Sequence, residues 1–447
     1  MKIAFVPIDN RPVCYTLPKL LANIDSSIEF YIPPRQYLGD LTKVADVESL
    51  FSWIVSLPKL DVIILSLDTL AYGGLIPSRR STDSFEKIKK RIETLIEILS
   101  EKQCKIYAFS SIMRISNNNI NEEEKEYWSQ WGKKIFEYSY NIDKFGAKEN
   151  FIHDIPPEIL EDYIETRRRN FEINKIYLQW QKQGLFDTLI FSKDDCAQYG
   201  FNVQEAKILE KMGGYTKTGA DEIPLSLLSR ALCEKVKICP IFLEPEEKSL
   251  ISNYEDVSVE NSVYGQIELA GCEVSDEENA DILLYVNNFK NHQGEIVMKV
   301  ETEFFDKTFI SPERPYMVAD IRFANGSDNK FVHELFKNKL IDKNFFGYSA
   351  WNTTANTLGS LICGAKIKFL ASKYNKNNFK KLQITRFLDD WAYQANVRQE
   401  LTNPDIDRLS SNMKAYEKVI AKIFDTCVDV NYKFPWERLF EVEIEFN

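Results

Sequence analysis

Asp187-Thr-Leu-Ile-Phe-Ser-Lys-Asp-Asp-Cys-Ala-Gln-Tyr-Gly200 is the stretch on which the fold turns. Residues 188–192 form a compact apolar run that stops at Lys193-Asp194-Asp195, as a buried parallel strand does when it delivers polar groups to the rim of a sheet. Binding and chemistry in such folds gather at that rim. Two adjacent carboxylates past a strand end meet different surroundings, which lets one stay ionised while the other holds a proton. The plainer alternative is that Asp195 caps a helix starting near residue 202 and Asp194 is simply solvated.

Outward from this stretch, strand and helix alternate. Apolar runs at 3–8, 28–32, 62–67 and 105–110 read as strands, and 17–24, 47–56 and 85–100 as helices. Ile88, Ile92, Leu95, Ile96 and Leu99 recur at helical spacing within the last of these. Residues 117–184 interrupt the alternation with two helical segments, 121–140 and 157–183, an insertion that serves as a lid or a flank. Further strands are expected at 236–243, 281–288, 316–321 and 345–350, with a helix at 262–270 and Pro224 in the first turn of another.

Repeated β-α-β crossovers imply an α/β fold with parallel sheets. About ten strands exceed the eight of a closed barrel, so two doubly wound, Rossmann-like lobes fit best; a (β/α)8-like barrel with extra strands is the alternative. The expected domains are 1–234, carrying the insertion, 235–365, and a mainly helical 366–447.

Composition narrows the function classes. The 447 residues carry a net charge of −11, which argues against a nucleic-acid partner. Arg167-Arg168-Arg169 and the lysines of 376–381 read as solvated helix faces. No run is apolar for long enough to span a bilayer, and the chain opens on a strand rather than a basic, then apolar, leader. Eight scattered cysteines suggest reduced thiols and a cytoplasmic setting. His153, His292 and His333 belong to no metal-ligand motif, so no His-rich zinc or di-iron centre is expected and no cofactor is assigned, while carboxylate binding of a divalent metal stays open.

Nearly every strand ends in polar chemistry. Asp9, Asn10 and Arg11 follow the first strand, and Asp68 and Tyr72 with Gly73-Gly74 the third. Ser110, Ser111 and Arg114 follow the fourth; then come Asp194-Asp195, Asp221-Glu222, Asn287-Asn288, Asp320 with Asn325, and Tyr348 with Trp351 and Asn352. Parallel strands carry these ends to one side of a sheet. Asp9 and Asp68 serve equally well as helix caps, Asn325-Gly326 as a turn, and Trp351 as core or as a flat face for a sugar ring. No G-x-G-x-x-G or G-K-[ST] pattern marks a nucleotide site. Asp389-Asp390, on a helix expected over 386–398, reads as surface or interhelical salt bridging.

The opening run through Val13, residues 75–79, Asp194-Asp195, residues 219–222, 324–328 and 351–359 together resemble an uncharacterised bacterial family with a domain of unknown function, over essentially the full length. That resemblance brings no activity with it. Locally, Asp194-Asp195 is similar to the pair in hexosaminidases that use the substrate's acetamido group as nucleophile. The likeness implies that Asp194 orients that group and Asp195 is the general acid/base. The leading expectation is therefore a glycoside hydrolase for a small, N-acetylamino-sugar-containing saccharide. Asp9, Asn10, Asp68, Tyr72, Asp221, Glu222, Asn288, Asp320, Asn325 and Asn352 would bind substrate, Trp351 would stack on it, and Arg11 or Arg114 would meet an acidic substituent. Two alternatives stand beside it: a divalent-metal hydrolase using Asp9, Asp68, Asp194 and Asp320, and a non-catalytic sugar- or nucleotide-binding protein.

Overall fold

The computed structural model describes residues 1–146, 154–194, 196–304, 309, 312–338 and 341–447. The chain divides into two compact units, one formed by 1–10 with 29–224 and the other by 11–28 with 225–447. Strand β1 (Lys2–Val6) opens the first unit, α1 (Pro12–Ala22) belongs to the second, and β2 (Glu29–Tyr31) returns to the first. The region expected to be a separate helical domain, from residue 366 onward, lies within the second unit.

The first unit continues through α2 (Val47–Ser56), β3 (Val62–Ser66), the short α3 (Leu67–Tyr72) and α4 (Leu75–Arg80), α5 (Phe85–Ser100), β4 (Lys105–Ile112), α6 (Trp128–Phe145), α7 (Pro157–Lys182), β5 (Thr188–Lys193), α8 (Phe201–Lys211) and β6 (Tyr215–Thr218). Its six strands are all parallel, in the order β2-β1-β3-β4-β5-β6. Every residue of β3 is buried, as a central strand covered on both faces requires. Helix α5 starts where the Ser84 hydroxyl accepts the Lys87 N–H, and it buries Ile88, Ile92, Leu95 and Leu99 along one stripe.

The second unit follows α9 (Ile223–Ala231) with β7 (Lys237–Phe242), α10 (Val259–Leu269), β8 (Glu273–Val274), β9 (Ile282–Asn287), β10 (Gly294–Glu295), β11 (Tyr316–Asp320), β12 (Phe323–Ala324), α11 (Asn329–Lys337), β13 (Phe345–Ser349), α12 (Thr354–Leu370) and α13 (Lys376–Arg386). Five parallel strands lie in the order β13-β11-β9-β7-β8. Renumbered within the unit, that order is 2-1-3-4-5, the same as that of the first five strands of the first sheet. Both sheets are thus open and doubly wound, with a reversal of strand order between first and third strands, where ligands settle in such folds. Among the described residues neither sheet closes into a barrel. Helix α14 (Ile406–Phe424) and the antiparallel pair β14 (Val430–Lys433) and β15 (Glu443–Phe446) complete the unit.

The helix expected over 386–398 is not one α-helix. Residues Phe387–Gln394 adopt a π-helix that buries both Asp389 and Asp390, so the pair is not on the surface. The Arg386 guanidinium lies 3.2 Å from Asp389 and 3.3 Å from Asp390, and Asp390 Oδ2 accepts the Ala350 N–H. The pair therefore holds the end of β13. The arginine run is corrected likewise: only Arg168 is exposed, while Arg167 is buried against Glu205 and Arg169 donates to the carbonyls of Ser78, Ser81 and Asp83. No helix among the described residues is long and apolar enough to cross a membrane, and all eight cysteines are free.

Candidate active site

In the first unit, the ends of β3, β4 and β5 meet the helical insertion. Asp68, in the first turn of α3, turns one oxygen onto the next strand: Oδ2 accepts both the N–H and the hydroxyl of Ser111 at 2.8 Å. Thr69 beside it donates its hydroxyl to the carbonyls of Pro7 and Ile8, tying α3 to the end of β1 at the reversal of strand order. Asp68 is almost fully buried, and burial pushes its carboxyl up to about 6 although the Ser111 hydrogen bonds and the Arg79 charge pull the other way.

Asp194 stands past the end of β5, on the far side of β4 from Asp68. Its Oδ2 lies 3.5 Å from Arg114 and 3.8 Å from Arg79. The same two guanidiniums share Glu124 Oε1, at 3.0 and 3.2 Å, and Glu123 Oε2, at 3.0 and 3.7 Å. Arg79 and Glu124 are buried and form the floor of this cluster, while the Asp194 side chain keeps 25% of its surface open. Arg80 ties the acidic segment down by donating to the carbonyls of Asn121, Glu122 and Glu124. On the other side, Asn174 of α7 receives the Ser110 hydroxyl and donates to the Ser111 carbonyl, and Asn170 donates to Ser78. The insertion is thereby fixed to β4 and α4 as a flank.

Of the residues singled out from the sequence, Asp9, Asn10, Asp68, Tyr72, Arg114, Asp194, Asp221 and Glu222 lie in the first unit. Asp195 lies outside the described residues. Asp9 is buried just past β1, and the Asn10 carbonyl accepts the Arg35 guanidinium. Tyr72 is buried at the end of α3 with the Arg169 guanidinium 5.4 Å from its ring centre. Asp221 and Glu222 are buried at the start of α9, where Glu222 Oε2 accepts the Ala220 N–H. Arg79, Glu123 and Glu124 were not singled out as site residues, because charged side chains on a short helix and in a loop give no local sign of the strand end they meet.

Arg11, Asn288, Asp320, Asn325, Trp351 and Asn352 lie in the second unit. Three of them are better explained by structure than by ligand binding. Arg11 pairs with Glu441 at 3.1 Å and sits over Trp436. Asn288 is fully buried, and its carboxamide accepts the Glu244 N–H and donates to the Glu244 carbonyl, closing the reversal between β7 and β9. Trp351, only 3% exposed and edge-on to Phe440, offers no ring face to a sugar. Asn325 and Asn352 both take the left-handed conformation and are joined by the Asn325 N–H to the Asn352 carbonyl. Asp320 lies in a buried network, accepting from Asn287, Tyr348 and the Asp328 N–H. Burial, and then the Asp328 charge, hold its carboxyl well above the usual range. Buried Arg322 neutralises part of this network, 3.4 Å from Asp328.

The family described as protein of unknown function (DUF4127) matches residues 3–445. The chain belongs to the DUF4127 family. The match covers both units, so the carboxyl–guanidinium cluster of the first and the buried network of the second fall within the family's extent. No curated protein matches the chain. Among the described residues, no group of three or more His, Cys, Asp or Glu side chains is arranged to hold a metal ion.

Proposed function

We propose that the chain is a glycoside hydrolase acting on a small saccharide, with its chemistry at the strand ends of the first unit. One observation carries this reading: two carboxyl groups on one sheet rim lie in opposite settings. Asp68 is buried against Ser111 with its carboxyl raised to about 6, and Asp194 is the partly open counter-ion of Arg79 and Arg114. Paired carboxyls with separated environments are what acid-assisted cleavage of a glycosidic bond requires. Asp68 supplies the proton to the leaving oxygen. Asp194 steers the substrate and stabilises positive charge at the anomeric carbon. The preference for an N-acetylamino sugar rests on the likeness of Asp194-Asp195 to the hexosaminidase pair.

The test uses chromogenic N-acetylhexosaminides and matching hexosides with the wild type, Asp68→Asn, Asp194→Asn and Asp195→Asn. Loss of about 10² to 10⁴ in kcat for Asp68→Asn, with KM little changed, is the expected result. Hydrolysis of no glycoside by the wild type, or equal activity in all four proteins, overturns the reading. A full loss confined to Asp195→Asn would move the acid from Asp68 to its place in the hexosaminidase pattern.

A further inference from the structure

The second doubly wound sheet also carries polar residues past its strand ends, and the glycosidase reading uses none of them. Asn325 stands beyond β11 and Asn352 beyond β13; both are half-buried, and the Asn325 N–H meets the Asn352 carbonyl at 2.8 Å. The Asn325 carboxamide donates to Glu295 at 2.6 Å, whereas the Asn352 carboxamide makes no hydrogen bond among the described residues. Gly326 packs so closely on the end of the π-helix that a Cβ there would lie 3.0 Å from the Ala395 nitrogen. Beside that contact, Gln394 donates to the Phe440 carbonyl at 3.0 Å and accepts from the Arg398 guanidinium at 2.7 Å. Phe440 closes the circuit, its ring 6.3 Å from that of Trp351, the neighbour of Asn352.

Two guanidiniums stand on this circuit, Arg398 at 5.5 Å and Arg438 at 5.1 Å from the Phe440 ring centre. Neutral Gln394 gives the Arg398 guanidinium its one hydrogen bond among the described residues, and no carboxylate there lies within ion-pair distance of it. The carboxylates whose charge reaches Arg398 are held by others: Glu295 by Asn325, Asp389 by Arg386 at 3.2 Å, and Glu441 by Arg11 at 3.1 Å. Burial draws the guanidinium down from its ordinary value, against the pull of those charges and of Tyr393. A half-buried guanidinium that keeps its charge and spends most of its donors on nothing is suited to an incoming anion. The nearby carboxylates favour a singly charged carboxylate, which the planar fork matches, over a doubly charged phosphate. We propose that the carboxyl-end rim of the second sheet binds a small hydroxylated carboxylic acid, such as a sugar acid. Arg398, with Arg438 beside it, takes the carboxylate, and the Asn352 carboxamide takes a neighbouring hydroxyl. This concerns the second unit alone and stands whether or not the first unit cleaves glycosides.

Isothermal titration of the full chain with glucuronate, acetate and glucose separates charge from hydroxyl groups. Glucuronate is expected to bind with Kd on the order of 1 mM or tighter, and acetate and glucose each about tenfold more weakly. Arg398→Gln is expected to weaken glucuronate about ten- to a hundredfold, the scale of a charge-assisted hydrogen bond. Asn352→Gly suits the left-handed backbone there, with φ 58°, and removes only the carboxamide, so it keeps the proposal testable if Arg398→Gln fails to fold; about a fivefold loss is expected. Arg168→Gln, an exposed charge of the first unit, is expected to change nothing. Glucuronate held no more tightly than glucose, unchanged affinity in folded Arg398→Gln or in Asn352→Gly, or an equal loss in Arg168→Gln overturns the proposal. Because the signal is binding and not turnover, its failure is distinguishable from failure of the glycosidase reading.

Discussion

Replacing Asp68 by Asn should make the protein more stable at neutral pH while removing its activity. In the unfolded chain an aspartate titrates near 3.9, whereas in the folded protein Asp68 titrates at about 6. The folded state therefore holds this proton more tightly. Stability is highest below about pH 4, where both states are protonated. It falls as the pH rises to about 6, because unfolding then releases a proton that the native state retains, and it is flat above that. Two pH units at about 1.4 kcal/mol each give a loss of roughly 3 kcal/mol across the window. Asn has the same shape, and its Oδ1 can accept both Ser111 hydrogen bonds, but it cannot ionise. The variant should match the wild type at pH 4 and exceed it by roughly 2 to 3 kcal/mol at pH 8, several degrees in Tm for a unit of this size. Calorimetric unfolding of the full chain between pH 4 and 8 measures this. Parallel curves for the two proteins across that range would refute the claim that burial strains the Asp68 carboxylate. A carboxylate that costs stability and is kept for turnover is the pattern expected of a working acid.

Other consequences are separable. kcat/KM should decline above about pH 6, as the acid form of Asp68 disappears, and a rate that rises through that range would contradict its role. Asn288→Ala should cost roughly 2 to 4 kcal/mol in the second unit, because it strips two buried backbone partners from Glu244 at once; denaturant unfolding within 0.5 kcal/mol of wild type would count against the clamp. Turnover that survives prolonged EDTA dialysis is the outcome expected of the two-carboxyl reading, while loss restored by Mn²⁺ would favour the metal-hydrolase alternative.

The fold was legible where burial writes itself into a short window. Residues 62–67 and 188–192 read as strands because a central parallel strand is apolar on both faces, and α5 is bounded where its cap and stripe place it. Strand β6, Tyr215–Thr218, was not read, since an edge strand of half-buried polar residues looks like a loop. Helix α1 begins at Pro12 and not near residue 17: a proline at its first position suits the start, but Pro18 within it hides the period. The order of strands within each sheet was not legible at all, because it is fixed by which crossovers pack against which face.

The site divides along the same physical line. Asp68 and Asp194 could be named because they stand just past apolar runs, and that position is written locally. What makes them a pair of unlike carboxyls is not local: Asp68 is raised by burial, against the pull of the hydrogen bonds from Ser111, 43 residues away, and Asp194 meets Arg114 across 80 residues and Arg79 across more. The same reasoning explains why Asp389-Asp390 and Arg167 were assigned to the surface. Adjacent like charges read as solvated unless their counter-ions are known, and here the π-helical turn brings Arg386 onto both aspartates while Glu205 reaches Arg167 from another helix. A charged residue's role in this chain follows from its partner, and partners at such separations are set by topology. The strand ends could therefore nominate acids from the sequence, while only the packed insertion could say which of them sits beside a guanidinium and which is left to hold a proton.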